Sequence, residues 1–498
     1  MDDLTNQVRA TPADELEDLP GTWCWTKIGA IAELRGEKVD PSSDPDLRFV
    51  GMDDIEPNGL HATQNRPFGL MQSSANRFRP GDVLYGRLRP YLNKTALAAD
   101  HGACSGELLP IVPRIGIEPG FLQYFIHSRR FVNNAMSAVT GDRPRIDFAR
   151  IGQFDFPLAP SNEQRRIAAR IDELFAEIAA GEAALADARK GLETFRRALL
   201  KATVTGELTK DWRGQNSIAE TGAAIVEKLR KRHPDASPTR SEWTPKSSLP
   251  KLPDTWAWCA VEEAGEVQLG RQRAPQHHDG EHMRPYLRVA NVLEDRLDLS
   301  DVKWMNFTPE EFKTFSLRPE DILLNEGQAP DLLGRPAMYR GEIEDCCFQK
   351  TLLRFRAKDG ILPDFALIVF RYYMRSGRFK RESRITTNIG HLTQVRFVVM
   401  EFPVPPRAEQ EAIVDLFGAQ EAAVVDTLTL LDAEAADVAR LKQAILKAAF
   451  EGRLVPQDPA DEPAGALLAR IAAGRPAQPV KRRGDKTPPV KGRRAKAS

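Results

Sequence analysis

The phrase FPLAPSNEQRRIAARID at 156–172 returns as FPVPPRAEQEAIVDLF at 402–417, an offset of 246, and no other feature constrains the fold as strongly. Further matches fall in the same order along the chain. LPGTWCWTKIGAIAEL (19–34) is answered by LPDTWAWCAVEEAGEV (252–267), RPGDVLYGRLRP (79–90) by RPEDILLNEGQA (318–329), LLKATVTGEL (199–208) by ILKAAFEGRL (445–454), and ETGAAIVEKL (220–229) by EPAGALLARI (462–471). A chain that repeats itself at ordered places is two copies of one unit, so whatever the first copy builds the second must build too. The 498 residues leave room for two separate cores of ordinary size.

Within each copy the texture changes at the Phe-Pro phrase. Before it, short apolar runs such as DVLY (82–85), LLPIV (108–112), DILL (321–324) and TLLRFR (351–356) are bounded by Gly, Pro and Asp, the pattern of strands joined by turns. Helical stretches lie among them, at 120–131 and 364–379. The expectation is a mixed α/β globule of the α+β class, made twice, over 19–160 and 252–405.

After the phrase the pattern becomes long and helical, over 161–205 and 406–450. In the first copy Ile167, Ile171, Leu174, Ile178, Gly181, Leu185, Ala188, Leu192, Phe195, Leu199 and Ala202 alternate steps of four and three, a heptad seam. Ile413, Phe417, Gln420, Val424, Thr427, Leu431, Glu434, Val438, Leu441, Ile445 and Ala448 keep the same register in the second. Ser161 with Gln164, and the first-turn acids Glu163 and Glu409, are helix-start chemistry. Each helix spans about 40 residues, or roughly 60 Å. An exposed seam of that length needs a partner, and the other copy is the natural one, giving an antiparallel pair with pseudo-two-fold symmetry. The alternative is that each helix packs on its own globule.

The remaining segments read as connections. The N-terminal 1–18 is an acidic tail. The stretch 206–251 holds a short apolar helix and a linker rich in Pro, Ser and charge. A short helical segment follows at 451–479, and the basic tail 480–498 has the composition of a disordered segment.

Charge is balanced, with 70 Lys plus Arg against 70 Asp plus Glu, so any basic surface must be local. The five cysteines form no C-x-x-C pair, which argues against a disulfide framework or a zinc site and fits a reducing cytoplasm. The N-terminus lacks the apolar core of a signal peptide, and there is no apolar run long enough for a membrane span. Motifs for nucleotide, zinc or serine-hydrolase chemistry are absent. Two residue sets tempt an enzyme assignment. His277, His278 and His282 cluster, but Pro275 and Gly280 make their segment a loop. Asp301, Glu311 and Lys313 resemble the acids and lysine of a metal-dependent nuclease, yet the first copy has no counterpart.

Polar loops at matched places carry more weight. YGRLRPYLNK (85–94) sets Arg87, Arg89, Asn93 and Lys94 beside Tyr91, and LNEGQAPDLLGRP (324–336) supplies Asn325, Gln328 and Arg335 in the second copy. Later come TGDRPRI (140–146) with Arg143 and Arg145, and TTNIGHL (386–392) with Asn388 and His391. Such turns can offer Arg to guanine, Asn or Gln to adenine and Lys to phosphate. Solvated turns with no ligand are the alternative reading of each.

The ordered series of W-x-W, PGDVLYGRLRPYLNK, FPLAPSNEQRRI, a long helix and LLKATVTGELTKDWR, all given twice, resembles the specificity subunit of type I restriction-modification enzymes over nearly all of 19–475. The resemblance implies two target recognition domains, each reading one half of a split DNA sequence, with the helices as spacer and docking surface. It implies duplex DNA, two methyltransferase subunits and motor-nuclease subunits as partners. No cofactor belongs to this chain on that reading: S-adenosylmethionine sits in the methyltransferase subunit, ATP and magnesium in the motor subunit. The chain is then a reader and not an enzyme, and its two halves read different sequences because the loops differ. A rigid helix pair fixes the gap between half-sites. A free-standing sequence-specific DNA-binding protein and a nuclease acting alone are the competing classes.

Overall fold

The computed structural model describes residues 18–63, 66–233, 249–386 and 389–474. They form two compact units, one of residues up to Ala183 together with those from Glu434 onward, the other Ala184–Ala433. Each unit therefore takes its globule from one copy and finishes it with the second half of the other copy's long helix.

The duplication is visible in the sheets. In the first unit Ala32–Leu34, Leu108–Pro113, Val83–Gly86 and Thr95–Leu97 lie side by side in that order, all antiparallel. Gly265–Leu269, Leu352–Ala357, Ile322–Asn325 and Pro336–Met338 repeat the order in the second unit. A two-stranded ribbon accompanies each: Cys24–Lys27 with Asp155–Leu158 sets Trp25 opposite Pro157, and Ala257–Ala260 with Glu401–Val404 sets Trp258 opposite Pro403. Central strands such as Val83–Gly86 and Ile322–Asn325 are buried along their whole length, so they read as continuous apolar runs rather than alternating ones.

Helices Pro119–His127 and Pro363–Arg375 start on a proline, whose missing N–H costs nothing in the first turn. Nearly every side chain of the first is buried, and most of the second. Phe121 and Phe125 close on Phe156 and on Phe450 from the end of the second long helix. In the second unit Phe365 and Phe370 pack on Phe402. A second sheet differs between the units. Lys38–Val39, Ala75–Phe78, Gly102–Cys104, Arg48–Val50 and Arg66–Pro67 form five strands in the first, where the other has only Lys303–Asn306, Met283–Leu287 and Cys347–Phe348.

The long helices run Ser161–Thr205 and Arg407–Phe450, 45 and 44 residues. Their pairing is antiparallel inside the second unit, where Arg189 meets Asp432 and Arg196 meets Glu421. In the first unit Lys442 Nζ binds Glu182 at 2.8 Å. The seam is uneven. Ile167, Ile171, Ile178, Leu199, Ile413, Phe417, Val424 and Ile445 are buried, Leu174, Leu185, Leu192, Leu431 and Val438 are half-buried, and Phe195 and Leu441 stand about half exposed at 45% and 50%. Most of the buried positions owe their cover to a globule: Ile167, Ile171, Ile178 and Ile445 belong to the first unit's core, and Ile413 to the second's. Both expected arrangements therefore occur, since each helix packs on its own globule at its start and pairs with the other helix beyond it.

The connections are more ordered than their composition promises. Gly222–Arg232 and Ala464–Ala473 are equivalent helices: Gly222 N–H donates to Thr255 O at 2.8 Å and Ala464 N–H to Thr22 O at 2.9 Å. Each follows one copy's long helix and covers the entry strand of the other copy's globule. Residues 234–248 of the expected linker and the basic tail 480–498 lie outside the described residues.

Gly206 and Gly452 end the long helices in left-handed backbone, at φ +77° and +69°. Both also make close approaches. A β-carbon on Gly452 would sit 2.3 Å from Pro20 Cγ, and one on Gly206 would sit 2.6 Å from Pro253 Cγ. Gly452→Ala is expected to cost about 1–3 kcal/mol from backbone strain and overpacking together, read as a lower thermal midpoint of the first unit. An unchanged midpoint would show that the turn relaxes freely.

Candidate nucleic-acid interface

The repeated Glu-Gln phrase is a clamp. Trp23 Nε1 donates to Glu163 Oε2 at 3.0 Å, and Trp256 Nε1 donates to Glu409 Oε2 at 2.9 Å. Glu163 also accepts from Gln457 Nε2 at 2.5 Å, whereas Glu409 accepts from Thr209 Oγ1 at 2.6 Å and pairs with Arg213. Burial pushes the Glu163 carboxyl up despite the donors on it. The glutamines pin the next helix: Gln164 Oε1 accepts from Glu118 N–H at 2.9 Å and Gln410 Oε1 from Leu362 N–H at 2.7 Å. Both acids lie in the first turn of their helices, as expected, and the Ser161 hydroxyl donates to Gly116 O at 2.9 Å. Sequence reasoning missed the clamp. Its only signal was that W-x-W and E-Q recur together.

Clamping the strand ends to the long helices leaves the far loops free to vary. In the first unit the loops at 85–94 and 140–146 come together. Leu88 bridges Arg145, Arg89 N–H donates to Pro144 O at 2.7 Å, and Ile146 N–H donates to Arg87 O at 3.1 Å. Arg89 and Asn93 hold left-handed backbone at φ +53° and +48°, which turns the chain sharply around the 3₁₀ turn Pro90–Leu92. Arg89, Arg143 and Arg145 are exposed, Tyr91 is 48% exposed, and Arg145 pairs with Glu107. Arg87 is half-buried.

Two expected contacts do not face outward. Asn93 is buried and its amide donates to His127 O at 2.9 Å, and Lys94 is buried with Nζ donating to Met52 O at 2.9 Å. Both side chains fold back because the left-handed residue at 93 reverses the chain direction. They hold the loop in place.

The second unit joins its matched loops by strand pairing, with Gly327 opposite His391 and Gln328 opposite Gly390. Gln328 is half-buried and its Oε1 accepts from Ala329 N–H at 3.0 Å. His391 Nδ1 lies 3.4 Å from Glu326 Oε2. Arg335 is half-buried, and burial lowers its pKa, opposed by the charge of Glu294. Asn325 differs from expectation: it is wholly buried at the end of a central strand, with no hydrogen bond on either amide atom among the described residues. Asn388 lies outside the described residues. Seven of the expected side chains are thus exposed or half-buried at the paired loops: Arg87, Arg89, Arg143 and Arg145 in the first unit, Gln328, Arg335 and His391 in the second.

The residues that tempted an enzyme assignment engage other partners. Asp301 pairs with Arg288 and Lys303, while Glu311 caps its own helix by accepting from Thr308 N–H at 2.9 Å and pairs with Arg271. His278 accepts from Arg273 Nε at 3.1 Å, and His282 N–H donates to Asn306 Oδ1 at 2.8 Å. Among the described residues no group of three or more His, Cys, Asp or Glu could hold a metal ion, and no helix is long and apolar enough to cross a membrane.

No protein-family model matches the chain. Among curated proteins it is 50% identical over 468 positions to the type I restriction enzyme EcoAI specificity subunit of Escherichia coli, covering 80% of this chain and 77% of that one. It is 26% identical to the StySPI specificity subunit of Salmonella potsdam, over 75% of each chain. The EcoDI specificity subunit of Escherichia coli is matched at 25% identity, and there the chain spans about half of the relative's length, 52%. Two solved structures share the fold at 21% identity: a chain of a type I restriction-modification system, TM-score 0.66 over 88% of this chain and 100% of that one, and the HsdS subunit of Thermoanaerobacter tengcongensis, TM-score 0.53 over 88% and 99%. The duplicated globule, the clamped long helices and the relative identical at half of the aligned positions lead to one conclusion: the chain belongs to the family of type I restriction enzyme specificity subunits.

Proposed function

We propose that this chain is the non-catalytic subunit that reads a bipartite DNA target for a restriction-modification complex, one half-site to each globule. The observation that carries the reading is that two copies of one scaffold keep the Trp–Glu clamp and the sheet order while the paired loops at matched places carry different side chains. A shared frame with divergent loops is what different half-sites require. Exposed Arg89, Arg143 and Arg145 supply guanine and phosphate contacts to one half-site, and Gln328, Arg335 and His391 supply contacts to the other.

The long helices set the gap between half-sites and carry the docking surface for methyltransferase subunits, with motor-nuclease subunits joining to cut. S-adenosylmethionine belongs to the methyltransferase subunit, where the target base is taken out of the stack. ATP and magnesium belong to the motor subunit. No observation favours a free-standing regulator. The test is to replace residues 19–160 by the same region of a relative, assemble the methyltransferase complex and map the methylated sites. One half of the recognised sequence is expected to change while the other half and the gap stay. A change in both halves, or in neither, would refute the assignment of one globule to each half-site.

A further inference from the structure

The second unit has a cleft beside its three-stranded sheet. Arg273, His278, Arg288, Lys303, Trp304 and Gln349 line a cavity of about 480 Å³ on the face of its three-stranded sheet. Trp304 is 58% exposed, an unusual position for so large an apolar ring without a partner. Two of the cleft's three cations, Arg288 and Lys303, pair with one carboxylate, Asp301. Asp301 takes Lys303 Nζ at 2.6 Å and also pairs with Arg288, and Lys303 foremost holds that carboxyl below its ordinary value. Arg273 has no ion pair among the described residues, and its Nε donates to the imidazole of His278.

Matched positions show that the shared fold does not need this arrangement. Lys303 opposite Tyr286 corresponds to Arg66 opposite Phe49, each beside the strand that pairs in parallel with its neighbour. In the first unit Arg66 is closed onto buried Asp54 at 2.7 Å, and Pro67 stands where the second unit has Trp304. Gly51, before the 3₁₀ turn Met52–Asp54, stands where Arg288 precedes Val289–Asn291. One copy thus has a proline and a cation paired with a buried carboxylate, the other an exposed ring and a cation paired with an exposed carboxylate. The cleft also adjoins the paired loops. Gln349 Oε1 accepts from Thr351 Oγ1 at 3.1 Å, Thr351 O accepts from Glu326 N–H at 2.9 Å, and Glu326 is the residue beside His391.

We propose that this cleft holds the sugar-phosphate backbone of duplex DNA flanking the bases read by the second globule, an inference that rests on the DNA reading above. Arg273, Arg288 and Lys303 meet phosphate oxygens, and the Trp304 ring lies against the adjoining deoxyribose. Arg288 and Lys303 exchange Asp301 for phosphate at little cost, because an ion pair this exposed contributes little. Contacts of this kind position the protein and carry no sequence information.

The test uses the chain assembled with its methyltransferase subunits, titrated over a range of salt with a duplex carrying its mapped target and with an unrelated duplex. The double variant Arg273→Ala/Lys303→Ala is expected to lose on the order of tenfold in affinity for both duplexes, and to reduce the steepness of the log–log salt dependence by about 2. The preference between duplexes should not change. Trp304→Ala should weaken both equally and Trp304→Phe should restore most of the loss. Unchanged affinity and salt dependence in variants that fold and assemble normally would overturn the proposal, as would a loss confined to the target duplex, which means base reading. Loss of methyltransferase subunits on purification would also overturn it, since the cleft would then dock a protein. If the unaltered complex shows no preference for its target, the DNA reading itself falls; if it does and the variants match it, only the cleft assignment falls.

Discussion

Glu409→Ala is expected to destabilise the second unit by about 3–5 kcal/mol, the cost of leaving a buried charge and its neighbours without their partner. Glu409 has no exposed surface. Its carboxylate serves the Trp256 indole, the Thr209 hydroxyl and the Arg213 guanidinium, so one truncation orphans three donors. Arg213 keeps only its bonds to Gly206 O at 2.5 Å and Thr209 Oγ1 at 3.0 Å. The matched Glu163→Ala in the first unit should cost less, about 2–3 kcal/mol, because Trp23 and Gln457 are neutral donors. Urea unfolding of the full chain, followed by tryptophan fluorescence, reads the difference. Equal losses below about 1 kcal/mol at both sites would mean that water replaces the carboxylate; then the repeated Glu-Gln phrase does not hold the lobes to the helices.

That clamp marks the boundary of what the sequence could reveal. The duplication, the strand runs and the long helices were legible because each is periodic or repeated, and the sheet order then repeats as the sequence does. The pairing of Trp23 with Glu163 spans 140 positions and that of Trp256 with Glu409 spans 153, and no local pattern encodes a contact so remote. Sheet order was hidden for the same reason. Side-chain direction was the other loss. Asn93 and Lys94 have the composition of a groove-reading turn, yet the left-handed backbone at Arg89 and Asn93 turns them inward. The exposed Trp304 was unmarked because the residues around it come from three separate segments, 273–278, 286–304 and 349. The seam misled in one respect: heptad spacing marks Phe195 and Leu441 as buried, but two helices alone cover only a narrow stripe, and those positions gain no cover from a globule.

A second large effect is expected at Arg371, where the two units solve one packing problem differently. Arg371 is 2% exposed on the helix that begins at Pro363. Its guanidinium donates to Glu421 Oε1 at 2.7 Å and Asp295 Oδ2 at 3.3 Å and lies 5.4 Å from the centre of the Phe417 ring. Glu421 is shared with Arg196 from the other long helix. In the first unit His127 stands eight residues after the matching Pro119, as Arg371 does after Pro363, and Phe175 occupies the place of Glu421. Burial, then the charge of Lys442, lowers the His127 pKa to about 4, so that position is neutral, and Phe175 packs on Tyr124 at 5.7 Å. The same scaffold is thus built once with a buried charge network and once without. Arg371→Ala should cost about 3–5 kcal/mol, because it strands Asp295 and opens a cavity, whereas Arg371→Met, which refills the cavity but leaves Asp295 without its partner, should recover part of that loss. The sign with pH follows. Burial works against the charge on Glu421, but Arg196 and Arg371 outweigh it and hold its carboxyl below the ordinary 4.5; its contribution is full above that value and is lost as pH falls through the lowered folded pKa. Burial raises the Asp295 carboxyl against the opposing charge of Arg371, so removing Arg371 raises it further and the variant regains stability on acidification. The gap between Arg371→Ala and the unaltered chain should therefore narrow between about pH 7 and about pH 4. A gap that stays constant would show that lost packing, and not the lost charge, accounts for the whole effect.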